Sequence, residues 1–238
     1  MITRWILACL LILILSPGAW AGGKIDQLDT LSQDLFKDLT YELGTAIGYK
    51  ALQPGDPLDK LGFRLKLEAP ASALASEALY PGHYLNRDDN FATPGLSLQG
   101  GLNNGFDIGG YYSSVPDSNI TLMSGQVSYA LTSGNDIAPA VSIRGTFSRL
   151  SGVEDFDLMT RGLELSFSKG FASFTPYAGL GTVWIDGDTT VDGLSDERLT
   201  KNKYFMGFNF NLGLMSIAAE TEQTGDNAST SATFGLRF

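Results

Sequence analysis

The chain has 238 residues, with 26 acidic against 16 basic side chains and a formal net charge of −10, a balance that excludes a basic nucleic-acid interface. Its single cysteine excludes a disulfide framework, and its single histidine leaves little material for acid–base or metal chemistry. With 43% hydrophobic residues and no low-complexity tract, it is a structured chain rather than a disordered one.

The elements begin with an export signal. Arg4 supplies a positive start, Trp5 to Leu15 form a short apolar run, and Ala19-Trp20-Ala21 offers a small-residue cleavage site. Ser16, Pro17 and Gly18 break the run before it reaches the roughly 20 residues of a membrane-crossing helix. Residues 1–21 therefore read as a signal peptide cleaved after Ala21. Cys9 lies inside the apolar run and reads as a small hydrophobe there. Residues 22–38 come next, with Ile25, Leu28, Leu31, Leu35, Phe36 and Leu39 at three- and four-residue steps among Asp26, Asp29, Gln33 and Asp34. The spacing predicts a short amphipathic helix that either plugs a lumen or caps a barrel from the periplasm. It has too few basic residues to lie on an anionic membrane.

From residue 39 to 238 the pattern changes to alternation, with apolar and polar residues exchanging over short segments separated by Gly, Asn, Asp, Ser and Pro. Strands are predicted near 41–51, 61–69, 93–102, 105–114, 119–131, 138–149, 157–168, 173–185, 201–212, 214–222 and 228–238. In the clearest segment, Tyr204, Met206, Phe208, Phe210 and Leu212 point one way while Gly207, Asn209 and Asn211 point the other. This is the pattern of an all-β, antiparallel up-and-down transmembrane β-barrel, with lipid on one face and a polar interior on the other. Eleven segments are visible, but both termini of a bacterial barrel lie in the periplasm, so an even number is required. A further strand across Ala73 to Tyr84 gives 12, the predicted number, and the alternative is 10.

The last segment, Ala232 to Phe238, sets Phe234, Leu236 and Phe238 on one face and Thr233 and Arg237 on the other. It resembles the closing strand of Gram-negative outer-membrane barrels. That resemblance implies that Phe234, Leu236 and Phe238 form the signal read by the barrel-assembly machinery, and that the chain is delivered to the cell outer membrane. Gly22 to Phe238 as a whole resembles a little-characterised group of proteobacterial outer-membrane barrels, through Gly110-Tyr111-Tyr112-Ser113-Ser114-Val115-Pro116-Asp117-Ser118-Asn119, Thr175-Pro176-Tyr177-Ala178-Gly179-Leu180-Gly181 and the end strand. The group implies a barrel with outer-membrane lipid and lipopolysaccharide as surroundings, and offers no catalytic residues to carry over. Oligomeric state is left open.

Candidate lumen residues follow from strand parity. Arg64, Lys66 and Glu68 oppose Phe63, Leu65 and Leu67, and Glu42 and Lys50 oppose Leu43, Ile47 and Tyr49. Arg144, Glu164, Asn209, Asn211 and Arg237 join them, giving an interior of both signs. Such a lining either biases the solutes of a water-filled pore or closes into ion pairs that fill the barrel. Tyr41, Tyr49, Tyr111, Tyr112, Phe147, Trp184 and Tyr204 sit towards strand ends, where aromatic girdles are expected.

No catalytic, cofactor or metal site is predicted. His83 lies in a polar connection near Asp88 and Asp89 without the His and Ser, or His and Asp, spacing of known outer-membrane hydrolases. The acidic run Asp186 to Glu197 offers oxygens at calcium-loop positions, but Val191 stands where the tight turn needs glycine. The sequence thus predicts a non-catalytic membrane barrel, either a small passive pore or a structural protein. The alternatives are an outer-membrane enzyme acting on lipid or peptide, or a loop-mediated adhesin or receptor.

Overall fold

In the computed structural model, residues 28–58, 62–73, 90–114, 119–134 and 138–238 are described. Eleven strands form one antiparallel sheet: β1 (Phe63–Ala73), β2 (Asn90–Ala92), β3 (Gly95–Gly101), β4 (Phe106–Ser114), β5 (Thr121–Thr132), β6 (Ala140–Ser151), β7 (Phe156–Ser168), β8 (Phe174–Thr189), β9 (Glu197–Leu212), β10 (Met215–Thr224) and β11 (Asn227–Arg237). Each pairs with the next strand in sequence except the three-residue β2, which pairs with β1 but not with β3, and β3 pairs with β1 along the same edge. The ring closes where β1 meets β11, with Arg64 opposite Arg237, Leu65 opposite Leu236 and Leu67 opposite Phe234. Closure leaves no unpaired edge, which is what a sheet needs in order to stand in lipid.

The barrel therefore has ten strands, β1 and β3 to β11, plus the short β2, and not the predicted 12. The strand expected over 41–51 is the error. That stretch belongs to a helix, α1 (Gln33–Ile47), and to the chain leading from it. The helical period continues unbroken through Phe36, Leu39, Leu43 and Ile47, and it outweighs the local alternation around Leu43 to Tyr49. The barrel accordingly starts at Phe63 rather than at residue 39. The possible strand over Ala73 to Tyr84 lies almost wholly outside the described residues, as do the signal peptide and His83; once β1 pairs with both β3 and β11, the ring has no position for another strand.

One end of the barrel carries Phe238 and the turns after β3, β5, β7 and β9; we call it the turn end. The other carries the connections after β1, β4, β6, β8 and β10 and is called the loop end. Two turns show the asymmetry: β9 and β10 are joined by Gly213-Leu214 alone, whereas β8 and β9 are joined across residues 190–196. Strands β8 and β9 are also longer than predicted, each 16 residues. A tilted strand crosses a bilayer with about 9–11 residues, so both project past it at the loop end.

Outside, Leu65, Leu67, Leu98, Ile108, Val127, Ile143, Leu163, Leu180, Met206 and Phe208 are exposed on successive strands and form an apolar belt. Inside, the alternate residues are buried, many of them polar or charged. A soluble sheet does the reverse; this inversion marks a barrel whose outer wall faces lipid. Among the described residues no helix is long and apolar enough to cross a membrane, so the strands carry the crossing.

Candidate functional site: a threaded lumen

Helix α1 lies inside the barrel towards the loop end. Ser32 caps its first turn by accepting a hydrogen bond from the Leu35 amide, and Asp34 places a carboxylate at the positive end of the helix dipole. Its apolar face is fully buried. Phe36 packs edge-on against Phe156 with ring centroids 5.4 Å apart, and Leu39, Leu43 and Ile47 join Leu122, Leu150, Leu158, Val183 and Ile185 of the wall in one core. Burying these four helix side chains stabilises the arrangement by roughly 1.5–3 kcal/mol each. Two glycines let helix and wall approach. A Cβ on Gly44 would fall 2.3 Å from Ile185 Cγ2, and one on Gly187 would fall 2.5 Å from Thr40 Cγ2.

The helix runs downwards from the loop end. Its first residue, Gln33, bonds to the β8–β9 connection, accepting from the Ser195 amide at 2.8 Å and donating to the Ser195 carbonyl at 3.0 Å. The Tyr41 hydroxyl accepts from the Asp226 amide in the β10–β11 turn at 2.6 Å. After Gly48 the chain leaves the helix and descends the lumen in non-regular conformation, buried nearly throughout to Gly55. Gly55 donates to Ser168 Oγ, and the Leu58 amide donates to both Asp107 carboxylate oxygens at 3.1 Å, both at the turn end. Residues 28–58 thus pass along the inside of the barrel from the loop end to the turn end, where β1 begins.

Charged groups on the wall grip this segment. Lys203 Nζ on β9 donates to the Tyr49 carbonyl at 2.8 Å and pairs with Glu164 and Glu222, each at 2.8 Å. Lys50 pairs with Glu222 at 3.1 Å and donates to the carbonyls of Thr45, Ala46 and Gly48, so one ammonium satisfies the open C-terminal end of α1 and ties it to β10. Arg144 pairs with Glu164 at 2.8 Å. Lys66 pairs with Glu68 and donates to the Ala51 carbonyl at 2.9 Å, and Arg64 donates to Gln53. Five basic and six acidic side chains are buried among the described residues, so the interior is close to neutral. A small cavity remains between the C-terminal end of α1 and β1, β4 and β5, lined by Tyr49, Lys50, Glu68, Tyr111 and Ser124 among others.

The predicted lumen residues divide by origin. Arg64, Lys66, Glu68, Arg144, Glu164 and Asn209 are buried on the inner wall. Glu42 and Lys50 are also inside but belong to the threaded segment rather than to a strand. Asn211 and Arg237 are half-buried at the turn end, Arg237 opposite Arg64 across the β1–β11 seam. Sequence reasoning missed Lys203, Glu220 and Glu222. Parity could have found them, since Lys203 alternates with Tyr204, and Glu220 and Glu222 alternate with Ala219 and Thr221. The acidic run Asp186 to Glu197 is not one loop: Asp186 and Asp188 lie on β8 and face arginines.

No family model matches the chain, and no curated protein matches it. Solved structures with a similar arrangement include a loop-deletion mutant of OmpT, an outer membrane protein of Vibrio cholerae, at 9% identity and TM-score 0.33 over 62% of this chain. This chain spans about half of that one, 54%. The KdgM porin matches at 8% identity and TM-score 0.39, over 74% of this chain and 99% of the other. The β domain of the Bordetella autotransporter BrkA matches at 14% identity and TM-score 0.45, over 76% and 100%. What identifies a membrane barrel here is the closed ring and its inverted polarity.

Proposed function

We propose that this chain is an integral outer-membrane β-barrel without catalytic activity whose lumen is closed by its own N-terminal segment, so that its resting state does not conduct. The closed ring and the external apolar belt support the outer-membrane location, with lipopolysaccharide around the wall and the barrel-assembly machinery as the partner in biogenesis. The observation that carries the closed state is Lys203, fully buried between two wall carboxylates and the backbone of the threaded chain. An open pore would leave these charges to water; here they are paired with one another and with the segment that fills the space. Of the two roles expected for a non-catalytic barrel, this favours the structural protein over the passive pore.

Planar-bilayer conductance tests the reading. The full chain should be silent, and a chain lacking residues 28–58 should give discrete steps, because that deletion removes both the apolar seal and the descending strap. Removing only residues 22–37 would leave Leu39, Leu43, Ile47 and the strap in place and should remain silent. Steps from the full chain would overturn the proposal.

A further inference from the structure

The outward-facing arginines of the described wall all lie together. Arg149 on β6, Arg161 on β7 and Arg198 on β9 stand at the loop end, Arg161 and Arg198 against Asp186 and Asp188 of β8 and Arg149 against Asp157 of β7. They stand at the loop-end margin of the apolar belt: Arg149 and Arg198 share one row of the sheet with Met159 and Asp186, and Arg161 stands in the adjacent row with Phe147 and Trp184. Arg149 is the next outward residue after Phe147, Arg161 the next beyond Leu163, and Arg198 lies opposite Asp186, the next beyond Trp184. One outward step along a tilted strand places Arg149, Asp186 and Arg198 roughly 5–7 Å past the row of Phe147 and Trp184, and the long Arg161 side chain starts from that row and reaches Asp186. On other strands the equivalent residue is small and uncharged: Ala69 beyond Leu67, Ser114 beyond Tyr112, and Thr121 beyond Met123.

The cluster is built as well as placed. The Asp186 side chain is only 16% exposed and sits between two guanidinium groups, with Arg161 Nη2 at 3.1 Å and Arg198 Nη1 at 3.9 Å. Arg198 also reaches Asp188 at 3.5 Å, and Arg149 donates its Nε to Asp157 at 3.0 Å. The carboxylate is tucked in while the Arg161 and Arg198 side chains are 61% and 69% exposed. A guanidinium carries five N–H donors, and these contacts engage one or two nitrogens of each, so the outer edges remain available to a second anion. Asp186 therefore orients two forks side by side, facing the membrane interface beside the half-exposed Trp184.

We propose that this patch on β6 to β9 binds the phosphorylated head group of lipid A in the outer leaflet, with the phosphates on Arg161 and Arg198 and acyl chains against Leu163, Leu180 and Tyr204. Planar forks suit phosphate oxygens, and the belt directly below supplies apolar surface for the attached chains. The assignment rests on the outer-membrane location proposed above and is independent of whether the lumen conducts.

The test uses the purified full chain in detergent, incubated with bis-phosphorylated lipid A or with the same lipid after removal of its phosphates, and measures retained lipid by native mass spectrometry. The wild-type chain should retain the phosphorylated form about tenfold better, and R161Q/R198Q should lose about that factor. R161K/R198K should fall between, because an ammonium keeps the charge without the fork. Equal retention of both lipids by the wild-type chain would overturn the proposal, and that comparison requires no variant to fold. Undiminished retention by an R161Q/R198Q protein that still shows a heat-dependent gel shift would overturn it as well. Fractionation of cells tests the location separately, so failure of one reading is distinguishable from failure of the other.

Discussion

Lys203 on β9 donates to the carbonyl oxygen of Tyr49 at 2.8 Å, and these residues are 154 positions apart. Through this bond a wall strand holds the chain that crosses the barrel interior. The same ammonium neutralises Glu164 and Glu222, so its loss would leave two buried carboxylates short of a partner and one backbone acceptor unsatisfied.

Lys203→Met should therefore be costly although it preserves much of the side-chain volume. Breaking a buried ion pair by removing one partner costs about 3–5 kcal/mol. The folded form of the variant should lose its heat-resistant gel mobility at a lower temperature and in less urea than the wild-type protein. An unchanged urea midpoint would show that Lys50 and Arg144 suffice to neutralise the centre.

Gly187→Val addresses the seal without touching a charge. A side chain at this position must displace Thr40, since even a Cβ would lie 2.5 Å from it. The expected result is a barrel that still shows heat-dependent mobility but opens intermittently in a bilayer as α1 is pushed off β8. Gly145→Val, on the lipid face where a Cβ meets nothing within 4 Å, should stay silent.

The direction of threading is testable by labelling. Ser32 is exposed at the loop end and Asp56 is exposed at the turn end, where it accepts a hydrogen bond from Gly134. The only native cysteine, Cys9, lies in the predicted signal peptide, so single cysteines report cleanly. A membrane-impermeant maleimide should label S32C on intact cells and D56C only after the outer membrane is breached. The reverse pattern would invert the assignment of the two ends.

Phe238 has a structural role beside its predicted role as an assembly signal. Its ring stacks on Phe63 with centroids 4.8 Å apart and planes at 19°, and the two backbones exchange hydrogen bonds across the β1–β11 seam. Such aromatic pairs contribute about 0.5–1.5 kcal/mol beyond the area they bury. Phe63→Ala should lower the urea midpoint of the folded barrel while leaving its membrane level near normal, whereas Phe238→Asp should reduce the level itself. Equal loss of membrane level in both variants would mean that seam stacking, and not a terminal signal, governs insertion.

The wall was legible in the sequence because a strand states its two faces in alternation. Segments such as Tyr204 to Leu212 and Ala232 to Phe238 read correctly, and inward charges such as Arg144 and Glu164 followed from parity alone. The threaded segment was not legible in the same way. Its helix was predicted from Leu35, Phe36 and Leu39, but Leu43, Ile47 and Tyr49 also fit a strand over a short window, and the helical reading wins only when the core around Phe156 and Ile185 is known. Lys50 illustrates the difference: the expected direction, into the lumen, matches its place in the structure, but it arrives there as a cap on a helix end. The pairing of Asp186 and Asp188 with arginines was hidden because β8 and β9 run past the membrane, and alternation weakens where both faces meet water.

Because residues 28–58 come before β1 and lie within the ring that β1 and β11 close, covalent order constrains the order of events in time. Either the first strand and the last join around a segment already in place, or the segment's free end is drawn through a finished hoop. The second route has a gauge: anything grafted ahead of Leu28 must pass a ten-stranded bore as an unfolded thread. By that route a folded domain fused there should stall the chain half-made and a flexible peptide should not, whereas by the first route neither should stall it.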